Sequence, residues 1–222
     1  MENGEGRRRR SAPDVRREQI LDGAEQSLLD LGWAGTTFST IAERSGVARS
    51  ALNYFFADKQ AIMQAVVARL FERATAGIDQ LTSLPVRDPV RVLQSIRRRL
   101  MAPTAGELRM VQLLLACWSA GLYDPAIRQQ LTGYFQFFRG RLELVLAAGS
   151  AQGVLRVDDP TAAAGWLLAS VHGLLMQHLY IPNRELTRRA AADLFVQLGL
   201  EEPAAAERAN QVPAGPVAAE KA

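Results

Sequence analysis

The sequence predicts an all-α protein of about nine helices, three of them short of residue 60 and the rest in a larger helical portion behind them. Three observations predict it. The period-2 alternation of strands is absent and β-branched residues are sparse. Apolar residues recur at the 3- and 4-residue spacing of one helix face. Asp-Pro occurs three times, each time just before such a pattern. Asp accepts the free amides of a first helical turn, and Pro at the next position gives up an N–H that has no partner there.

The first helix is expected from about Val15 to Leu31, with Ile20, Ala24, Leu28 and Leu31 on one stripe and Gly32 ending it. Asp58 is a suitable N-cap for a helix through about Leu81. Asp88-Pro89, Asp124-Pro125 and Asp159-Pro160 start three more. Thr104-x-x-Glu107 is a capping-box pattern and starts another. The helix from Asp124 carries Leu131, Phe135, Phe138, Leu142, Val145 and Gly149 on one face to about Gln152, and Gly153 ends it. Met110 to Trp118 is apolar nearly all round, which predicts a central helix. Residues 160–180 are apolar on most sides, and a last helix is expected from about Arg184 to Leu198. Past Glu201 the Ala/Pro/Glu composition predicts a disordered tail, residues 201–222.

Composition narrows the function classes. With 48% apolar residues in 222, a sizeable core can be buried. No run approaches the roughly 18 apolar residues of a membrane span. The N-terminal arginines are not followed by the apolar stretch of a secretory signal, so a cytoplasmic location without membrane contact is expected. Cys117 is the single cysteine, which allows no internal disulfide and no multi-cysteine metal site. No GxSxG, Walker loop, HExxH or GxGxxG occurs. His172 and His178 lack the i, i+4 spacing of a metal pair, so no metal or cofactor is expected. Each histidine reads as packed or as a ligand hydrogen bond, and Cys117 reads as core. The net charge of +3 is concentrated: residues 7–17 hold Arg7 to Arg10, Arg16 and Arg17 against Asp14 alone. Residues 1–13 thus form a basic arm, either a solvated tail or a contact to phosphate or the minor groove.

The informative stretch is Phe38 to Phe56, FSTIAERSGVARSALNYFF. Two short helices meeting at a steep angle need a small residue at the close approach and a positive-φ residue in the turn; Ala42 and Gly46 supply them. Ile41, Val47, Leu52 and Phe55 can form the shared core. The spacing Ala42-x3-Gly46-Val47-x4-Leu52 suits a DNA-binding helix-turn-helix.

With its flanks, this stretch resembles the tetracycline-repressor (TetR) family: a preceding helix at residues 15–31, Thr36-Thr37, the aromatic end Asn53-Tyr54-Phe55-Phe56, then Asp58-Lys59. The close match covers about residues 15–65. Further on, only Leu155-x-x-Asp158-Asp159-Pro160 through His172-Gly173-Leu174 resembles the family body. The resemblance implies a head at residues 14–60, whose helix from about Ala48 to Phe56 enters the major groove. Arg49, Ser50, Asn53 and Tyr54 would face DNA, Arg suiting guanine or phosphate and Asn suiting adenine. Thr37 and Lys59 match phosphate-contacting positions, although Thr37 is equally an N-cap. Two positions depart from the family pattern. Ala48 stands where a hydroxyl residue usually caps the reading helix, and Asn53 stands where Tyr is usual, which implies a different base preference.

The resemblance also implies that residues 61–200 form a ligand-binding and dimerisation body. Met110, Leu114, Trp118, Tyr123, Phe135, Phe138 and Trp166 read either as ordinary core or as the lining of a cavity for a small apolar or aromatic effector. On residues 160–180, Leu167, Val171, Leu174 and His178 form one stripe and Leu168, Leu175 and Leu179 a second, where a surface helix needs one. The second stripe predicts a homodimer through residues 160–198. The expected partners are double-stranded operator DNA, a small-molecule effector and a second copy, and the expected function is a repressor released by its effector. The rival readings are a helical protein-binding adaptor and an all-α enzyme; the latter lacks any acid–base or nucleophile constellation.

Overall fold

The computed structural model describes residues 12–81, 86–181 and 184–200. The arm residues up to position 11 and the tail from 201 lie outside the described residues. In chain order the helices are α1 (Ala12–Gly35), α2 (Phe38–Ser45), α3 (Arg49–Phe55), α4 (Lys59–Leu81), α5 (Pro89–Met101), α6 (Ala105–Gly121), α7 (Pro125–Ala151), α8 (Pro160–Tyr180) and α9 (Arg184–Gln197). The described residues contain no strand.

Helix starts fall where the local chemistry puts them. Asp88 accepts from the Arg91 N–H at 2.8 Å, and Asp124 from those of Ala126 and Ile127 at 2.9 and 3.2 Å. Asp159 accepts from the Thr161 and Ala162 amides, both at 3.0 Å. Asp58 caps α4 through the Ala61 N–H at 2.8 Å. At α6 the capping box is reciprocal: the Glu107 N–H donates to Thr104 at 3.2 Å and the Thr104 N–H to Glu107 at 2.7 Å.

The chain divides into two compact units, residues 12–75 with 112–134, and 76–111 with 135–200. The first holds α1 to α3 and a core that includes Ile20, Leu21, Ile41, Leu52, Ile62, Met63, Cys117 and Ile127, all 1% exposed or less. Gly23 lets α1 approach α2, because a Cβ there would come within 2.7 Å of the Ser45 backbone nitrogen. The second unit packs α5, α8 and α9 together around Leu93, Leu100, Leu167, Ala191 and Phe195. The Arg156 N–H donates to the Leu198 carbonyl at 3.0 Å and ties the turn after α7 to the end of α9.

Three expectations from periodicity are corrected. Leu31 is 44% exposed rather than core: its side chain lies over Gly35, past the break at Gly32, whose φ is 69°. Phe135, expected on the buried stripe of α7, is 36% exposed and meets His172 edge-on at 5.6 Å. Leu168, expected on an outward stripe of α8, is only 9% exposed within its own unit, because α5 and α9 both pack on α8 and cover more than one face of it.

Candidate DNA-reading head and candidate effector residues

The head is built from α1, α2 and α3. Thr37 accepts from the Thr40 N–H at 3.2 Å, and Thr40 accepts in return from the Thr37 N–H at 2.8 Å. The sequence indicated Thr37 as a cap; the reciprocal part of Thr40 was not read from it. Gly46 takes the left-handed conformation, φ 65° and ψ 17°, that ends α2 and turns the chain into α3. Ala48 stands at the N-cap of α3 without a side-chain cap, as its departure from the family pattern implied.

Leu52 is fully buried, as are Ile41 and Val47, and burying a leucine contributes about 1.5–3 kcal/mol. Phe56, not Phe55, completes this core at 6% exposure. Phe55, three residues after Leu52 and still within α3, is only half-buried. α3 ends at Phe55, and extended backbone at Phe56 (φ −142°, ψ 133°) turns that ring inward. Opposite the core, α3 presents Arg49, Ser50, Asn53 and Tyr54 together, all exposed. Tyr54 is 83% exposed and rests edge-on against Phe55 at 5.1 Å between ring centroids. The Arg49 guanidinium donates to the Ser39 hydroxyl at 3.1 Å, so α2 steadies a side chain of this exposed face. Ser39 was not foreseen; two exposed residues ten apart give no periodic signal.

Lys59 sits differently from the four residues on α3. Its ammonium donates to the Trp33 carbonyl at 2.8 Å and lies 6.0 Å from the Trp33 ring centre, and burial lowers its pKa. A second group missed from the sequence joins α1 to α4. Glu18, Asp22 and Glu25 occupy i, i+4 and i+7 of α1 and meet Arg69 of α4 at 3.1, 2.8 and 2.6 Å; Arg73 reaches Glu25 at 3.1 Å. Arg69 and Glu25 are both buried. The matching acidic and basic spacings were its available signal.

The candidate effector residues fall in both units. In the first, Leu114 is buried, Trp118 half-buried and Tyr123 85% exposed. In the second, Phe138 is buried, Met110 half-buried, and Phe135 and Trp166 are 36% and 39% exposed. Cys117 is fully buried, and burial, with the nearby Glu25 carboxylate, pushes its thiol up to about 12, so it stays a neutral packing group. His172 donates through Nδ1 to the Leu168 carbonyl at 2.9 Å, and burial holds its pKa below 6.5. His178 donates through Nε2 to the Leu100 carbonyl at 2.7 Å, near the C-terminus of α5. Arg98 and Arg99 face solvent, and Arg99 pairs with Glu107 at 3.4 Å. Among the described residues no group of three or more His, Cys, Asp or Glu could hold a metal ion, and no helix is long and apolar enough to cross a membrane.

Comparison with known proteins agrees with this arrangement. Residues 20–66 match the family described as bacterial regulatory proteins, tetR family, and residues 89–209 match the BetI-type transcriptional repressor, C-terminal family. The HTH-type transcriptional regulator BetI of Burkholderia lata is 24% identical over 164 residues, 74% of this chain and 82% of the relative. A TetR transcription regulator from Haloarcula marismortui superposes with a TM-score of 0.72 at 20% identity, over 83% of this chain and 97% of the other. A chain from Saccharomonospora viridis described as a transcriptional regulator, in complex with choline, gives 0.73 at 21% identity over 82% and 96%. SmeT, repressor of a Stenotrophomonas maltophilia multidrug efflux pump, gives 0.62 at 25% identity over 84% and 93%. The BetI-type match alone spans more than half of the sequence, and the chain belongs to the TetR family: it is a DNA-binding transcriptional regulator, not an enzyme.

Proposed function

We propose that this regulator is a cytoplasmic homodimeric repressor that reads a near-palindromic operator and leaves it when a small apolar or aromatic effector binds. The observation that carries the proposal is the single exposed face of α3, where Arg49, Ser50, Asn53 and Tyr54 stand together on a helix anchored by fully buried Leu52. Thr37 and Lys59 would supply phosphate contacts at its flanks. Residues 14–60 serve as the head and 61–200 as the body. Dimerisation through residues 160–198 is supported by exposed apolar side chains there: Trp166 (39%), Met176 (37%), Tyr180 (72%), Ile181 (39%) and Leu186 (60%). Two-fold symmetry would present two heads to two half-sites.

The candidate effector contacts are Leu114, Trp118 and Tyr123 within the first unit and, taken separately, Met110, Phe135, Phe138 and Trp166 within the second. Aromatic faces also attract quaternary ammonium groups. Since the neighbour from Saccharomonospora viridis carries choline, choline is a second effector class to test beside apolar aromatics.

An effector moves operator affinity only by its unequal affinity for the DNA-bound and free states. By linkage, operator must weaken effector binding by the same factor, about 5- to 150-fold for a coupling of 1–3 kcal/mol. The test is calorimetric titration of choline and a panel of aromatic compounds into the protein, with and without operator selected from a random duplex pool. Reciprocal weakening supports the switch. Equal affinities with and without DNA for every compound that binds would refute it.

A further inference from the structure

Arg17 lies on the exposed N-terminal part of α1, before the residues that match the family's DNA-binding domain. Its guanidinium carbon sits 5.2 Å from the centre of the Phe56 ring. Phe56 is the residue that ends the reading helix: its N–H closes α3 onto the Leu52 carbonyl at 2.9 Å, and its ring is buried in the head's core. A guanidinium laid against an aromatic face keeps its N–H donors at its rim. Among the described residues no hydrogen bond or ion pair engages Arg17. The adjacent acid, Glu18, is taken by Arg69 at 3.1 Å. Among the described residues, Arg17 is therefore a cation with unused donors beside Phe56, the residue that follows α3 and stands two positions from highly exposed Tyr54.

A helix lying in the major groove is bordered by phosphates, and most protein–DNA hydrogen bonds go to them. We infer that Arg17 is a DNA-contacting residue that donates to a backbone phosphate at the edge of the site, with Phe56 as its platform. The inference rests on the reading of α3 as the groove helix. The contact fixes register and affinity without reading a base. The chain carrying Arg7 to Arg10 joins α1 just before Ala12.

The test is operator binding at 50 to 200 mM salt by wild type, R17M and R17K, on operator selected by wild type from a random duplex pool and on a scrambled duplex. Thermal melting checks that each variant folds; R17M keeps apolar cover on Phe56. R17M should weaken both duplexes together, with a log–log salt slope shallower by about 0.9 per lost contact, so that its affinity falls on the order of 3-fold less per contact across this range. R17K, which keeps the charge, should retain most of the slope. An R17M slope equal to wild type, or a loss confined to the cognate duplex, overturns the inference and leaves the reading of α3 standing. A wild type that prefers no duplex overturns both.

Discussion

The Lys59 ammonium donates to the Trp33 carbonyl oxygen at 2.8 Å, across 26 residues of sequence. Gly32, in the left-handed region at φ 69°, breaks the regular run of α1 just before Trp33. The first residue of α4 thereby ties down the end of α1. Lys59→Met should lose a charge-assisted hydrogen bond, about 1 kcal/mol after discounting for its partial exposure. It should also lower operator affinity on all sequences alike. Urea unfolding and operator titration check the two effects; a variant with wild-type stability and wild-type affinity would leave the tie without consequence.

Asn53 tests base reading. It is exposed on the same face as Arg49, and a bidentate Asn–adenine pair discriminates by about 1–3 kcal/mol. Asn53→Ala should lower affinity for the selected operator by that amount and relax the preference at one base pair per half-site. Binding to a panel of single-base operator variants measures it, and an unchanged preference profile removes Asn53 from the base contacts.

The pair Glu25–Arg69 is the buried centre of the α1–α4 network, with the two side chains 8% exposed each and 2.6 Å apart. Without Glu25, Arg69 keeps Glu18 and Asp22 but loses its one buried partner, so Glu25→Leu should cost about 1–3 kcal/mol, less than a fully unpaired buried charge. Glu25→Leu combined with Arg69→Met replaces the pair with apolar volume and should recover most of that loss; Glu18 and Asp22, which keep solvent access, can rehydrate. A denaturant double-mutant cycle reads the coupling, and additive losses would show that the pair does not act as a unit.

His172 makes stability depend on pH. Burial holds its folded pKa below the ordinary 6.5, so the unfolded chain binds its proton first as pH falls. Stability from this group is complete above 6.5 and is lost as pH drops from 6.5 through the folded pKa. His172→Gln should therefore show a smaller fall in Tm between pH 7.5 and 5.5 than wild type. Equal falls in the two proteins would assign the acid sensitivity to other groups.

Tyr180 stands 72% exposed at the C-terminal end of α8, and Leu186 60% exposed on α9. Tyr180→Glu disturbs little inside one chain but places a charge in the proposed interface. Sedimentation at micromolar concentration should show a dimer for wild type and a shift toward monomer for Tyr180→Glu at unchanged helicity. A monomeric wild type would remove the interface from residues 160–198.

What the sequence by itself determined were the features that act within one or two helical turns. The Asp-Pro starts at 88, 124 and 159, the Thr104–Glu107 box, the Gly46 turn and the uncapped Ala48 depend on side chains meeting backbone groups a few residues away, so spacing alone reveals them. The outward face of α3 was legible for the same reason, since Leu52 fixes which side of a short helix is buried. The tertiary structure alone decided where the period stops and which distant groups meet. Phe56 replaced Phe55 in the core because extended backbone at the end of α3 reversed the side chain's direction. Leu168 went inside because two helices, not one, pack on α8. Lys59 found Trp33, Arg69 found Glu25 and Arg17 found Phe56 across 26, 44 and 39 residues, and partners so far apart are set by how helices cross, which no periodicity along the chain encodes.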